Sequence, residues 1–205
     1  MKEKSFKRKK ELIGAALDEF IAKSYENASL NVILKNAGIS KGTFYYHFQD
    51  KQALYLFLLE AARKTECEFV NNCMMERAED FKGKDIFDRF KLQAKIRAEF
   101  TGAFPKYYKL NMMFKKEKGN GIYEHAKKAC ESNTEDWLEE KIKKAIEDED
   151  FNTKFSNEFI LKIMSYFFLN FNTIFNEERD YELEKTLENV NSLVDFLKYG
   201  FGNHS

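Results

Sequence analysis

Ile39-Ser40-Lys41-Gly42-Thr43-Phe44-Tyr45-Tyr46-His47-Phe48-Gln49-Asp50-Lys51 reads as a short helix with a specified boundary at each end. Gly38, just before it, suits the left-handed turn that a tight connection between two helices requires. Ser40 is placed to cap the first turn, and Ile39 is spaced to pack on Phe44 as a hydrophobic staple. Phe44 and Phe48, one turn apart, form an inward face. Lys41, Gly42, Thr43, Tyr46 and His47 are left outward, with Tyr45 at the boundary. Asp50 can cap a following helix that starts at Lys51.

Upstream, Leu12, Ile13, Ala16, Leu17 and Phe20 recur at helical spacing and predict a first amphipathic helix ending near Ser24. Ser29 caps a second, short helix whose buried side is Leu30, Ile33, Leu34 and Ala37. Three helices in 48 residues, the last two joined by a glycine-containing turn, make a helix-turn-helix plan. Charge is distributed to match. The chain has 34 basic and 34 acidic residues, but residues 1–51 hold ten basic against six acidic, leaving 24 against 28 for the rest. Six of the first ten residues are basic: Lys2, Lys4, Lys7, Arg8, Lys9 and Lys10. They form either a solvated tail or an arm lying on phosphates.

The run Ala37 to Phe48, followed by Asp50, Lys51 and Leu54, resembles the DNA-binding signature of the TetR family of bacterial transcriptional regulators. The resemblance covers about the first quarter of the chain. Val32 and Leu34 depart from the acidic and small residues usual there. The resemblance implies that Lys41, Gly42 and Thr43 lie near base edges or adjoining phosphates in a major groove. It implies that Tyr45, His47 and Lys51 touch backbone and that Ser29 and Asn31 bring the second helix to the duplex; Tyr46, outward by its spacing, is a further DNA-binding candidate. Base edges rather than phosphates carry sequence information, so Asn31 and Thr43 are the candidates for discrimination.

The fourth helix is expected to run from Lys51 to about Ala78, a rigid lever where a Gly/Ser linker would decouple the parts. Further helices are predicted over Ile86–Phe100, over Phe104–Phe114 behind Pro105, and over Tyr123–Ala129 and Thr134–Ile146. A long helix is predicted over 156–176, apolar nearly all round. In a last one Leu183, Leu187, Val190, Val194, Leu197 and Phe201 alternate four and three apart. The fold class is therefore all-α, with a DNA-binding domain over 1–50 and a helical ligand-binding and dimerisation domain over 51–205. The last two helices are either core or, as the resemblance implies, a homodimer interface.

Aromatic residues make up 16% of the chain. Phe100, Phe104, Tyr108, Met112, Tyr123, Trp137, Ile163, Phe167 and Phe171 are the candidates for an apolar effector site, which the resemblance places between these helices. The expected function is a ligand-responsive repressor on a palindromic operator, released by an apolar or aromatic small molecule. Two rivals stand beside it: a constitutive DNA-associated protein, and a helical small-molecule binder or enzyme. No nucleophile, base or metal-spaced cluster supports catalysis. No nucleophile or carboxylate stands at an informative spacing from His47, His125 has only Glu124 and Cys130 nearby, and Cys67, Cys73 and Cys130 have no ligand spacing, so no cofactor or metal is expected. No apolar run predicts a membrane span and no leader is read at Met1, which makes the cytoplasm the expected location.

Overall fold

The structure, a computed structural model, describes residues 8–130, 134–175 and 183–202, with side chains at all of these except 128–130, 134–135 and 172–173. Lys2, Lys4 and Lys7 of the basic arm lie outside the described residues, as do the side chains of Cys130 and Thr134. Twelve helices are present among the described residues: α1 Lys9–Ala22, α2 Leu30–Ala37, α3 Lys41–His47, α4 Lys51–Glu76, α5 Ala78–Phe81, α6 Ile86–Ala103, α7 Pro105–Lys116, α8 Gly121–Cys130, α9 Thr134–Glu147, α10 Asn157–Leu169, α11 Phe171–Phe175 and α12 Leu183–Phe201. No strand occurs among these residues, only an isolated bridge between Phe151 and Gly202. The all-α expectation therefore holds, and no described helix is long and apolar enough to cross a membrane.

The chain forms two compact units. One comprises Met1–Cys67 and Thr101–Ala129, the other Glu68–Phe100 and Cys130–Ser205. Within the first unit the head, α1–α3, shares a core with α4, α7 and α8. Leu12, Ala16, Leu17 and Phe20 of α1, Ile33 and Leu34 of α2, Phe44 of α3 and Leu54, Tyr55 and Leu58 of α4 are joined in one buried cluster by Leu110 of α7 and Ile122 and Ala126 of α8. The second unit has its main core among Ile86, Phe87, Leu138, Ile142, Ile160, Met164, Leu193, Val194 and Leu197. A smaller cluster there joins Val70, Cys73 and Ile96. Both α4 and α6 contribute residues to each unit.

The helix ends in the head follow the sequence closely. Gly38 has φ +64°; its amide donates to the Lys35 carbonyl at 3.2 Å and the Ile39 amide to the Leu34 carbonyl at 3.1 Å. That paired arrangement uses two orphan carbonyls of α2 and fixes the sharp exit. The Ser40 hydroxyl accepts the Thr43 amide at 3.1 Å, and Asp50 Oδ1 accepts the Ala53 amide at 2.7 Å. The Ser29 cap on the Val32 amide is longer, at 3.5 Å.

Two features depart from expectation. The helix predicted over 156–176 is broken at Asn170, where the backbone amide and the side-chain Nδ2 both donate to the Tyr166 carbonyl, at 3.0 and 2.9 Å. An asparagine that competes for its own helix's carbonyls favours an end over a continuation. On α12, Leu193 is buried beside Val194 and Leu197, whereas Leu183 is exposed, so the alternating seam describes only part of the inward face.

The connector between α1 and α2 is held by a carboxylate that periodicity does not single out. Glu19 of α1 is buried, and its Oε1 accepts from Lys23 Nζ at 2.8 Å and from the Ser29 amide at 3.0 Å. The Lys23 hydrogen bond, then the Ser29 amide, hold its carboxyl below the ordinary value of 4.5. Stability from a depressed carboxylate is present above the unfolded-state pKa and is lost as pH falls through the folded one. Glu19→Gln is therefore expected to cost about 1–2 kcal/mol at neutral pH. In urea melts the difference from wild type should shrink as pH falls through and below the ordinary carboxylate range. Gly38→Ala, which forces a Cβ into the left-handed region, should cost about 1–2 kcal/mol by the same melts at any pH.

Candidate nucleic-acid interface

α3 contains seven residues, below the length at which an isolated helix persists in water. It is held by its side chains. Phe44 is fully buried, Phe48 stacks on it with ring centroids 5.8 Å apart, and Phe48 meets Phe57 of α4 edge-on at 5.5 Å. The opposite face is open: Lys41, Gly42, Thr43 and His47 are exposed, Tyr45 is 54% exposed and Tyr46 is 68% exposed. Two large aromatic hydroxyls facing solvent on one short helix are not a packing solution. They are a surface able to donate to phosphate oxygens, with rings to lie along the sugar backbone.

The tyrosines are steadied by their neighbours. Tyr45 packs edge-on against Phe44 at 5.2 Å, and Tyr46 against the His47 ring at 4.9 Å. Thr43 Oγ1 lies 2.9 Å from Ser40 Oγ, so the cap residue also orients the hydroxyl expected to reach a base edge. Gly42 has open space where a Cβ would stand, apart from Ser40 Oγ at 3.8 Å. On α2, Asn31 is exposed and Ser29 half-buried at the cap, while Leu34 is buried and Val32 exposed. Leu34, a departure from the small residue usual there, is thus absorbed into the core.

Arg8 and Lys51 have uses beyond those expected of them. Arg8 Nη1 donates to the Gly38 carbonyl at 2.6 Å, which ties the root of the basic arm to the turn between α2 and α3. Lys51, expected at a phosphate, directs its ammonium to three carbonyls of the α1–α2 connector: Tyr25 at 2.7 Å, Ala28 at 3.0 Å and Glu26 at 3.4 Å. It also lies 4.5 Å from the centre of the Tyr25 ring. An ammonium has three donors, and all three are occupied here. The lysine acts as a strut inside the head.

From the other side of the connector, Glu117 at the end of α7 is buried, and its Oε1 accepts the Tyr25 amide. Its Oε2 accepts Asn120 Nδ2 at 2.7 Å. Neither Glu19 nor Glu117 is legible as a head residue from periodicity. Glu19 lies three residues after Ala16, on the inward face of α1, and Glu117 directly follows the last residue of α7.

The nine effector candidates are divided between the units. Phe104, Tyr108, Met112 and Tyr123 belong to the first; Phe100, Trp137, Ile163, Phe167 and Phe171 belong to the second. Tyr123 stacks on Phe114 at 4.9 Å, Phe100 is buried against Phe69 at 5.8 Å, Phe171 packs on Phe175 at 5.0 Å, and Trp137 is partly exposed with Lys141 Nζ 6.0 Å from its ring. An open groove of about 230 Å³ in the first unit is lined by Leu17, Ala103, Phe104, Pro105, Lys106 and Tyr107, and includes Phe104 alone of the nine.

Residues 12–57 match the sequence pattern of the bacterial regulatory proteins, tetR family. An uncharacterised HTH-type transcriptional regulator of Bacillus subtilis, YdgC, is 36% identical over 59 residues, which are 29% of this chain and 30% of that protein. The matched region thus spans less than a third of that relative. Solved structures extend the likeness in fold to nearly the whole chain. A TetR family transcriptional regulator from Chloroflexus aurantiacus superposes with a TM-score of 0.62 at 16% identity, over 98% of this chain and 96% of its own. A gamma-butyrolactone receptor described as ArpA-like superposes with a TM-score of 0.63 at 15% identity, over 97% and 89%. Residues 12–57 thus match the tetR family in sequence, and the fold of nearly the whole chain is similar to that of TetR family regulators of known structure.

Proposed function

We propose that this chain is a DNA-binding repressor that grips a palindromic operator as a homodimer and is released by an apolar or aromatic small molecule. The observation that carries the DNA-binding part is the outward face of α3, where Tyr45 and Tyr46 stand exposed beside Lys41, Thr43 and His47 on a helix pinned by the buried Phe44. The basic excess of residues 1–51 lies on the same part of the chain. Lys41, Tyr45, Tyr46 and His47 hold phosphates in this reading; Thr43 and Asn31 read bases, with Gly42 allowing close approach and Ser29 presenting the α2 amides.

The homodimer is supported by apolar residues left uncovered on the last long helices. Phe159, Tyr166 and Leu169 of α10 are exposed, and on α12 Phe196 is 66% and Tyr199 73% exposed. Large apolar side chains left exposed on two helices are what an interaction surface is built from. Two heads reading successive major grooves on one face of DNA must sit roughly 34 Å apart, so an effector that alters this distance alters affinity. A coupling of about 1–3 kcal/mol would change operator affinity some 5–150-fold. The effector's class is supported by the aromatic content of α7 and α8, and by fold likeness to a protein described as a gamma-butyrolactone receptor.

A mobility-shift titration on the DNA immediately upstream of the gene tests the reading. Thr43→Ala with Tyr45→Ala should weaken binding at least about tenfold, since a base or phosphate contact of this kind contributes roughly 1–3 kcal/mol. Unchanged affinity would remove α3 from the interface. For the dimer, Phe196→Asp with Tyr199→Asp should yield a folded monomer by sedimentation and abolish the shift at concentrations that saturate wild type. A dimer that persists in this variant would place the contact elsewhere.

A further inference from the structure

We propose that Glu117 is a positioning residue for operator binding, holding the α1–α2 connector, and through it α2 and α3, from the corner between α7 and α8. This rests on the DNA-binding reading above and adds a control point outside the head. Glu117 is 3% exposed, yet it carries a carboxylate. Burying such a group is costly unless its oxygens are satisfied. Here they are satisfied by the Tyr25 amide, 92 residues away in sequence, and by Asn120 Nδ2.

Tyr25 is held on every side. Its amide is bound by Glu117, its carbonyl by Lys51, and its ring lies against Tyr55 and Phe20 with centroids 5.0 and 6.3 Å away. Glu19 and Lys51 hold the connector from within the head and the start of α4. Glu117 holds it from α7. An ion pair between α7 and α1, Lys106 with Asp18, is solvent-exposed on both sides and contributes little by comparison. A displacement of the α7–α8 corner that carries Glu117 out of hydrogen-bond range frees the Tyr25 amide and the connector that aims α2.

The test compares Glu117→Ala and Glu117→Gln in the full chain, by amide hydrogen exchange at Tyr25 and by titration on duplex DNA from upstream of the gene. Glu117→Ala should accelerate Tyr25 exchange relative to its neighbours at least about tenfold and weaken DNA binding by about the same factor. Glu117→Gln keeps an acceptor oxygen for Tyr25 and should remain within about threefold of wild type on both. A general packing role would lower the melting temperature of both variants and leave the affinity of the folded protein unchanged, which would overturn the proposal. So would Tyr25 exchange indifferent to Glu117→Ala. If that variant does not fold, Asn120→Ala should accelerate Tyr25 exchange about threefold, and no acceleration overturns the proposal. Failure of wild type to bind the upstream duplex would instead overturn the regulatory reading, leaving the exchange result to judge the tether.

Discussion

A seven-residue helix that must present an open polar face can bury only what lies opposite, and in α3 that means Phe44 and part of Phe48. Helix nucleation is too costly for such a segment to hold its shape by internal hydrogen bonds alone. Its geometry therefore comes from its ends and its anchor: the left-handed Gly38, the Ser40 cap, the Asp50 cap of the next helix, and the aromatic row from Phe44 through Phe48 to Phe57. The rest of the first unit can be understood as support for that row. Leu54 and Leu58 of α4 and Ile33 of α2 supply apolar surface, while the outward tyrosines stay unburied.

Support of α2 is of another kind. Its N-terminus is approached by a seven-residue connector, 23–29, whose backbone polar groups must find partners once Tyr25 and Ala28 pack inward. They find charged side chains. Glu19 and Glu117 accept two amides, and Lys51 donates to three carbonyls. Hydrogen bonds to ionised groups are stronger than neutral ones, and they are also directional, so they fix the loop where apolar contact alone would let it slide. The arrangement turns an irregular segment into a rigid mount for Ser29 and Asn31.

What was legible in the sequence follows the same division. Local grammar was readable because it depends on neighbours in the chain: Gly38 before Ser40, Ser29 before Leu30, Pro105 at the start of α7 and the 3.6-residue spacing of Leu12, Ala16 and Phe20 each act within one turn. The helix break at Asn170 and the inward use of Lys51 were not readable, because each depends on geometry that spacing leaves open. An asparagine can continue or end a helix, and a lysine after an Asp cap can face phosphate or its own protein. Glu117 was further out of reach. Its partner Tyr25 is 92 positions away, and no periodicity links a carboxylate in one helix to an amide in a distant loop.

The exposed faces of α10 and α12 extend this reasoning from a single chain to its surroundings. An apolar helix needs cover on more than one side, and α10 buries only Ile160 and Met164 in its own unit. Phe159, Tyr166 and Leu169 remain in solvent, as do Phe196 and Tyr199 on α12. Covering such side chains removes apolar surface from water at about 25 cal/mol per Å², a gain set against the entropy lost on association. Two charged residues of α12 are engaged inside the second unit: Lys198 bridges Asp85 and Asp88 at 2.9 Å each, and Asp195 pairs with Lys91. With Asp195 and Lys198 paired inside the second unit and Phe196 and Tyr199 exposed, the C-terminal half of α12 presents apolar surface that another molecule can cover.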